Sequence, residues 1–129
     1  MDIKPLEAIV YNQEKVDIKE VIAPPYDVIT SEYQNELYKK SPYNIVPLIL
    51  TKGENRYEDA KDFFEKWLDE KVLIHTQKPC IFYLIQKYTT ENGKKIERKG
   101  FIARNKIESF ESKKVLPHEF TMGGPKEDR

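Results

Sequence analysis

The residues best suited to chemistry gather near one end of the sequence, in Leu116-Pro117-His118-Glu119-Phe120-Thr121-Met122-Gly123-Gly124-Pro125-Lys126-Glu127-Asp128-Arg129. His118 can serve as a base or metal ligand near neutral pH, and Glu119 can orient it or ligate beside it. The zinc-protease pattern is excluded, because Met122 stands where the second His would have to be. Gly123-Gly124-Pro125-Lys126 is flexible, then stiff, then cationic, and could offer backbone N–H groups and an ammonium to a phosphate. It lacks the P-loop spacing, so a solvated loop competes with that reading. A second candidate lies far upstream. In Pro24-Pro25-Tyr26-Asp27 two prolines stiffen the backbone and could hold Tyr26 and Asp27 rigidly at the edge of a site. A purely structural turn is the alternative there.

Other eye-catching residues have plainer explanations. Cys80 opens the apolar run Cys80-Ile81-Phe82-Tyr83-Leu84-Ile85 with no base beside it, and reads as a core thiol. His75 falls between a helix end and Pro79 and reads as a surface turn residue. Phe63, Phe64 and Trp67 recur at helical spacing and read as core rather than as a stacking platform.

Positioning these residues requires a folded framework, and the pattern supplies one. Ile3 to Val10 is β-compatible. Ser31-Glu32-Tyr33-Gln34 has the capping-box pattern and predicts a helix over 31–40, with Tyr33 and Leu37 inward and Ser41-Pro42 as the stop. Asn44 to Leu50 reads as a buried strand, with Pro47 confining it to an edge or a bulge. Tyr57, Ala60, Phe63, Phe64, Trp67 and Leu68 form one apolar stripe of a helix over 55–71. Two strands follow within 79–107, joined at Glu91-Asn92-Gly93-Lys94, since Asn-Gly tolerates positive φ. The return strand begins charged (Lys95, Glu97, Arg98, Lys99) and ends apolar (Phe101, Ile102, Ala103), so its far end is expected to be covered.

Composition bounds the function. The chain of 129 residues is the size of one ordinary domain, 39% hydrophobic and 34% charged. Eight Tyr, six Phe and one Trp give enough large apolar area to argue against disorder. Lys plus Arg and Asp plus Glu each number 22, which removes the broad attraction that non-specific nucleic-acid binding needs. A single cysteine permits no internal disulfide and suits a reducing compartment. No signal-peptide pattern opens the chain and no apolar run is long enough for a membrane span, so the expectation is a cytoplasmic protein without a membrane partner.

Taken together, the segments resemble one bacterial and archaeal family, catalogued as domain of unknown function 1015. The resemblance rests on Ile3-Lys4-Pro5, Ala23-Pro24-Pro25-Tyr26-Asp27-Val28-Ile29 and Ser41-Pro42-Tyr43-Asn44. It continues through Trp67-Leu68 with Val72-Leu73, the strand around Tyr83, and Arg98-Lys99-Gly100-Phe101-Ile102-Ala103. It ends in Leu116-Pro117-His118-Glu119 with Thr121, and Gly124-Pro125-Lys126 with Asp128-Arg129. Members of that family are longer and carry a later Asp-Gly-His-His-Arg motif that resembles one in the ParB and sulfiredoxin-like superfamily, which includes nucleotide-using proteins and a small-molecule serine kinase. The resemblance therefore implies that this chain is the N-terminal part of a longer protein, with the rest of its own chain as a partner.

The resulting expectations are these. The fold class is α/β, strictly α+β, with a mixed sheet, an antiparallel hairpin near 79–107 and main helices near 31–40 and 55–71. Residues 1–129 form one domain, with 113–129 a loosely packed tail. The site draws His118, Glu119, Asp27 and Asp128 as catalytic residues and Pro25, Tyr26, Thr121, Gly124, Lys126 and Arg129 as ligand contacts. Lys126 and Arg129 would neutralise phosphate oxygens, and Glu119 or Asp128 would hold a metal or a hydroxyl. The function expected is a nucleotide-dependent phosphotransferase on a small metabolite, using Mg2+ and ADP or ATP. A non-catalytic ligand-binding or regulatory module is the alternative, and a nucleic-acid-binding protein comes third.

Overall fold

The structure is a computed structural model that describes residues 2–115. In chain order its elements are β1 (Ile3–Lys4), β2 (Ile9–Tyr11), α1 (Ile18–Val21), a 3-10 turn (Tyr26–Val28), α2 (Ser31–Lys40), α3 (Val46–Ile49), α4 (Arg56–Asp69), β3 (Leu73–His75), β4 (Phe82–Thr89), β5 (Lys95–Ile102), β6 (Arg104–Asn105) and a 3-10 turn (Phe110–Ser112). The α/β class, the two main helices and the hairpin are as expected. The single mixed sheet expected is not formed: among the described residues the strands make three separate two-stranded antiparallel pairs, β1–β6, β2–β3 and β4–β5, because the run Val46–Ile49 that would have supplied a further strand is helical. Among the described residues no helix is long and apolar enough to cross a membrane. Contacts divide the chain into two compact units, Glu7–Lys78 and a unit made of Met1–Leu6 with Pro79–Arg129.

The core of the first unit is built on Trp67, which is 1% exposed. Helix α4 carries Glu58 and Asp59 in its first turn and Lys66 in its last, in keeping with its dipole. Its stripe delivers Phe63, Phe64, Trp67 and Leu68 to one cluster with Val72 and Leu73 of the β2–β3 region, together with Tyr11, Val16, Tyr43 and Leu48. The rings of Tyr11, Tyr43 and Phe63 stand 6.3, 6.0 and 6.1 Å from Trp67, at separations where tilted and edge-on contacts are favourable. Tyr57, assigned to the same stripe, is 75% exposed. It lies in the first helical turn, and the Arg56 guanidinium sits 5.0 Å from its ring instead.

Helix α4 ends in a Schellman arrangement, with Val72 N–H donating to the Trp67 carbonyl (2.9 Å) and Lys71 N–H to that of Leu68 (3.0 Å). Lys71 occupies the left-handed position at φ 57°, where glycine is the usual residue. This reversal feeds β3 directly into register with β2, as Ile9↔His75, Val10↔Ile74 and Tyr11↔Leu73. His75 is therefore an exposed strand residue rather than a turn residue.

Two local readings are corrected. The cap of α2 is Thr30, one residue earlier than expected, with its hydroxyl accepting from Tyr33 N–H at 3.2 Å. Gln34 does not fold back to close a capping box; its amide donates to the Leu50 carbonyl. Leu37 is buried as predicted, whereas Tyr33 is exposed. The second correction is larger: Val46–Ile49 is a helical turn and not a strand. A short continuous apolar run fits either element. Pro47 decides for the turn, because its missing N–H is no loss in the first turn of a helix and would break a ladder.

In the second unit β4 and β5 pair without a slip from Phe82↔Ile102 to Thr89↔Lys95. Thr90 N–H donates to the Lys94 carbonyl and Gly93 N–H to the Thr90 carbonyl, and Gly93 takes φ 79°. The loop is thus a β-turn followed by a left-handed glycine, and only the glycine of Asn92-Gly93 uses positive φ. Glu97 faces Lys87 across the ladder and is 3.6 Å from it and 3.2 Å from Lys99. Phe101 and Ile102 are 58% and 54% exposed, so the far end is open where the sequence pattern suggested cover. At the base of the unit β1 pairs with β6, and Leu6 exchanges two backbone bonds with Cys80, whose thiol is free and half-buried.

Candidate functional site

The upstream candidate is a short exposed turn held at both ends. Pro25 has φ −53° and ψ 142°, the extended geometry that its ring favours. The chain then folds into the 3-10 turn Tyr26–Val28, closed by Val28 N–H to the Pro25 carbonyl (3.2 Å) and Ile29 N–H to the Tyr26 carbonyl (3.3 Å). Downstream, Thr30 caps α2 and fixes the exit. Upstream, the carbonyls of Glu20, Val21 and Ile22 all accept hydrogen bonds from the segment Asn44-Ile45. Between these anchors Pro25 and Asp27 are exposed, as are Tyr26 at 54% and Val28 at 61%. The turn therefore presents an aromatic ring, a carboxylate and an apolar side chain to solvent. An exposed ring offers a stacking face and a carboxylate accepts from hydroxyls or ligates a cation.

Of the sequence candidates, Pro25, Tyr26 and Asp27 are thus on one pinned turn. His118, Glu119, Thr121, Gly124, Lys126, Asp128 and Arg129 lie outside the described residues. Among the described residues no group of three or more His, Cys, Asp or Glu side chains gathers closely enough to hold a metal.

Two polar features were not singled out from the sequence. Asn44 is the one buried polar side chain among the described residues, at 0% exposure. Its Oδ1 accepts from Val46 N–H (3.1 Å), and its Nδ2 donates to the Glu20 (2.9 Å) and Ile22 (3.2 Å) carbonyls. Periodicity cannot find such a residue, because a polar letter reads as surface. Its only signal was a place in Ser41-Pro42-Tyr43-Asn44. The second feature is a shallow groove of about 660 Å³ lined by Lys15, Tyr43, Asp69, Glu70, Lys71 and Val72. The Glu70 carboxylate raises the pKa of the Tyr43 hydroxyl above its ordinary value. Tyr11 donates its hydroxyl to the Tyr43 carbonyl at 2.8 Å, and burial pushes its own pKa up to about 12.

No curated protein and no solved structure matches the chain. One family does, through a model described as protein of unknown function (DUF1015). Its match spans residues 3–129, and so takes in both the Tyr26-Asp27 turn and the His118–Arg129 segment. The chain belongs to that family.

Proposed function

We propose that the chain forms part of a nucleotide-dependent phosphotransferase acting on a small metabolite, with the Pro25–Val28 turn as one wall of its ligand site. The observation that carries this reading is the turn itself: Tyr26 and Asp27 are exposed, yet the backbone beneath them is tied down on both sides. Preorganised placement of this kind lowers the entropy cost of binding and suits a group that must meet a reacting ligand. The side chains of the His118–Arg129 segment supply the complementary chemistry. Lys126 and Arg129 would neutralise phosphate oxygens, Gly124 would allow close backbone approach, and Thr121 would donate a hydroxyl. Asp27, Glu119 or Asp128 would hold Mg2+ or orient the accepting hydroxyl, with His118 as the proton carrier.

A non-catalytic ligand-binding or regulatory module is the second reading. It is favoured by the exposure of Tyr26 and Val28, which offer contact area without chemistry. Direct nucleic-acid binding is disfavoured by the balanced charge.

The test is titration of ADP and ATP, each with magnesium, against the longest natural protein that contains this chain and its Asp27→Ala, Lys126→Ala and Arg129→Ala variants. Loss of a charged phosphate contact is expected to cost about 1.5–3 kcal/mol, roughly ten- to a hundredfold in affinity. Unchanged affinity in correctly folded Lys126→Ala and Arg129→Ala would remove the phosphate site. Nucleotide binding without turnover of any phosphoryl acceptor would select the binding module.

A further inference from the structure

The segment that leads into Ala23-Pro24-Pro25-Tyr26-Asp27 is tied to Ser41-Pro42-Tyr43-Asn44 by one buried side chain and one neighbouring backbone bond. The Asn44 amide satisfies three backbone groups at once, while Ile45 N–H donates to the Val21 carbonyl at 2.7 Å and Asn44 N–H to the Ser41 carbonyl at 3.1 Å. The contacts specify the residue type. Two carbonyls demand donors and one N–H demands an acceptor, all within reach of a short side chain. Asn meets that demand, whereas ionised Asp would set a charge against two carbonyl oxygens.

From this geometry we infer that Asn44 is a positioning residue for the ligand-contacting turn: it fixes where the backbone leaves α1, and so where Tyr26 and Asp27 stand. The inference rests on the reading that the turn contacts ligand. The mechanical reason is the stiffness of what lies between. After Ile22, whose carbonyl Asn44 holds, come Ala23, Pro24 and Pro25. Both prolines have φ locked, and each restricts the residue before it. Four extended residues reach about 12 Å. A tilt of about 10° at the root of such an arm displaces its tip by roughly 2 Å, beyond the tolerance of a ligand site of about 0.5 Å. A stiff arm places a side chain well only if its root is held, and the root is held by Asn44.

The plainer role for Asn44 is to cap the end of α1 and stabilise the fold. Val46→Ala separates the two, because Val46 is equally buried beside Asn44 and its hydrogen bond to Asn44 comes from its backbone N–H, which the substitution keeps. Asn44→Ala and Val46→Ala are compared with wild type by amide chemical shifts and hydrogen exchange. In Asn44→Ala the shifts of Tyr26–Ile29 should move, and exchange at Val28 and Ile29 should rise tenfold or more relative to Val46→Ala, while Val72 and Leu73 stay protected in both. Magnesium-ADP affinity should fall about tenfold in Asn44→Ala and hold in Val46→Ala. Equal shifts and exchange at Tyr26–Ile29 in the two variants would overturn the inference. If Asn44→Ala does not fold, Asn44→Ser, whose hydroxyl can still accept from Val46 N–H, takes its place. Failure of both to fold beside a folded Val46→Ala would assign Asn44 to the fold alone. If wild type binds no magnesium-ADP, the phosphotransferase reading falls, and the shift and exchange comparison still decides the role of Asn44.

Discussion

Replacing Lys71 by Gly should stabilise the protein, although it removes a side chain. Lys71 sits at φ 57° at the end of α4, and its side chain is largely exposed. A left-handed residue with a Cβ costs about 1–2 kcal/mol relative to one without. Glycine returns part of that gain, about 0.4–1 kcal/mol, through the greater freedom of its unfolded chain. The balance is a stabilisation of about 0.5–1 kcal/mol, worth roughly 2–5 °C in Tm for a domain of this size. The backbone bonds at this position survive the change, since Lys71 contributes its N–H to the Leu68 carbonyl and its own carbonyl to the Asn12 amide at 3.1 Å. Lys71→Ala is the control. It keeps the Cβ and so keeps the strain, and it should lie within about 0.5 kcal/mol of wild type, as surface substitutions do. Urea unfolding and a thermal scan of the three proteins measure the difference. A destabilised Lys71→Gly, or a Lys71→Ala as stable as Lys71→Gly, would refute the assignment of strain to this residue.

Other expectations concern the core and the hairpin. Tyr11 has its folded-state pKa raised from the ordinary 10.0 to about 12, so it favours folding while protonated in both states. That contribution is complete below pH 10 and is lost as pH rises from 10 to 12, so Tyr11→Phe should flatten the fall in stability across that window. The same substitution leaves the Tyr43 carbonyl without its donor and should cost about 0.5–1.5 kcal/mol at neutral pH, read by urea unfolding. Gly93→Ala meets no atom within 4 Å, so its cost should be the backbone strain of φ 79° alone, about 1–2 kcal/mol. Amide exchange should show that loss within the hairpin and leave Val72 and Leu73 untouched.

Much of this architecture was legible because it is local. The stripe of α4 follows from spacing, the stop of α2 from Ser41-Pro42, and the reversal at Gly93 from the one residue without a Cβ penalty. The errors share a cause as well. Val46–Ile49 reads as a strand and is a helical turn, because a short apolar run carries no period long enough to separate the two elements. Tyr57 obeyed the helical spacing, yet nothing in that spacing tells where the core stops along the helix. Phe101 and Ile102 were expected to be covered because they are apolar, but burial depends on what lies opposite.

Residue chemistry likewise belonged to the sequence: the carboxylate of Asp27, the stiffness of Pro24-Pro25 and the cations at Lys126 and Arg129 need no coordinates to be recognised. Tertiary structure alone decided that the Asp27 turn is anchored from outside itself. The amide of Asn44 reaches the carbonyls of Glu20 and Ile22 across more than twenty positions of chain. Hydrogen bonds between distant segments depend on how the backbone returns, and no periodic pattern encodes that return. A buried Asn and an exposed one are the same letter until the fold surrounds one of them.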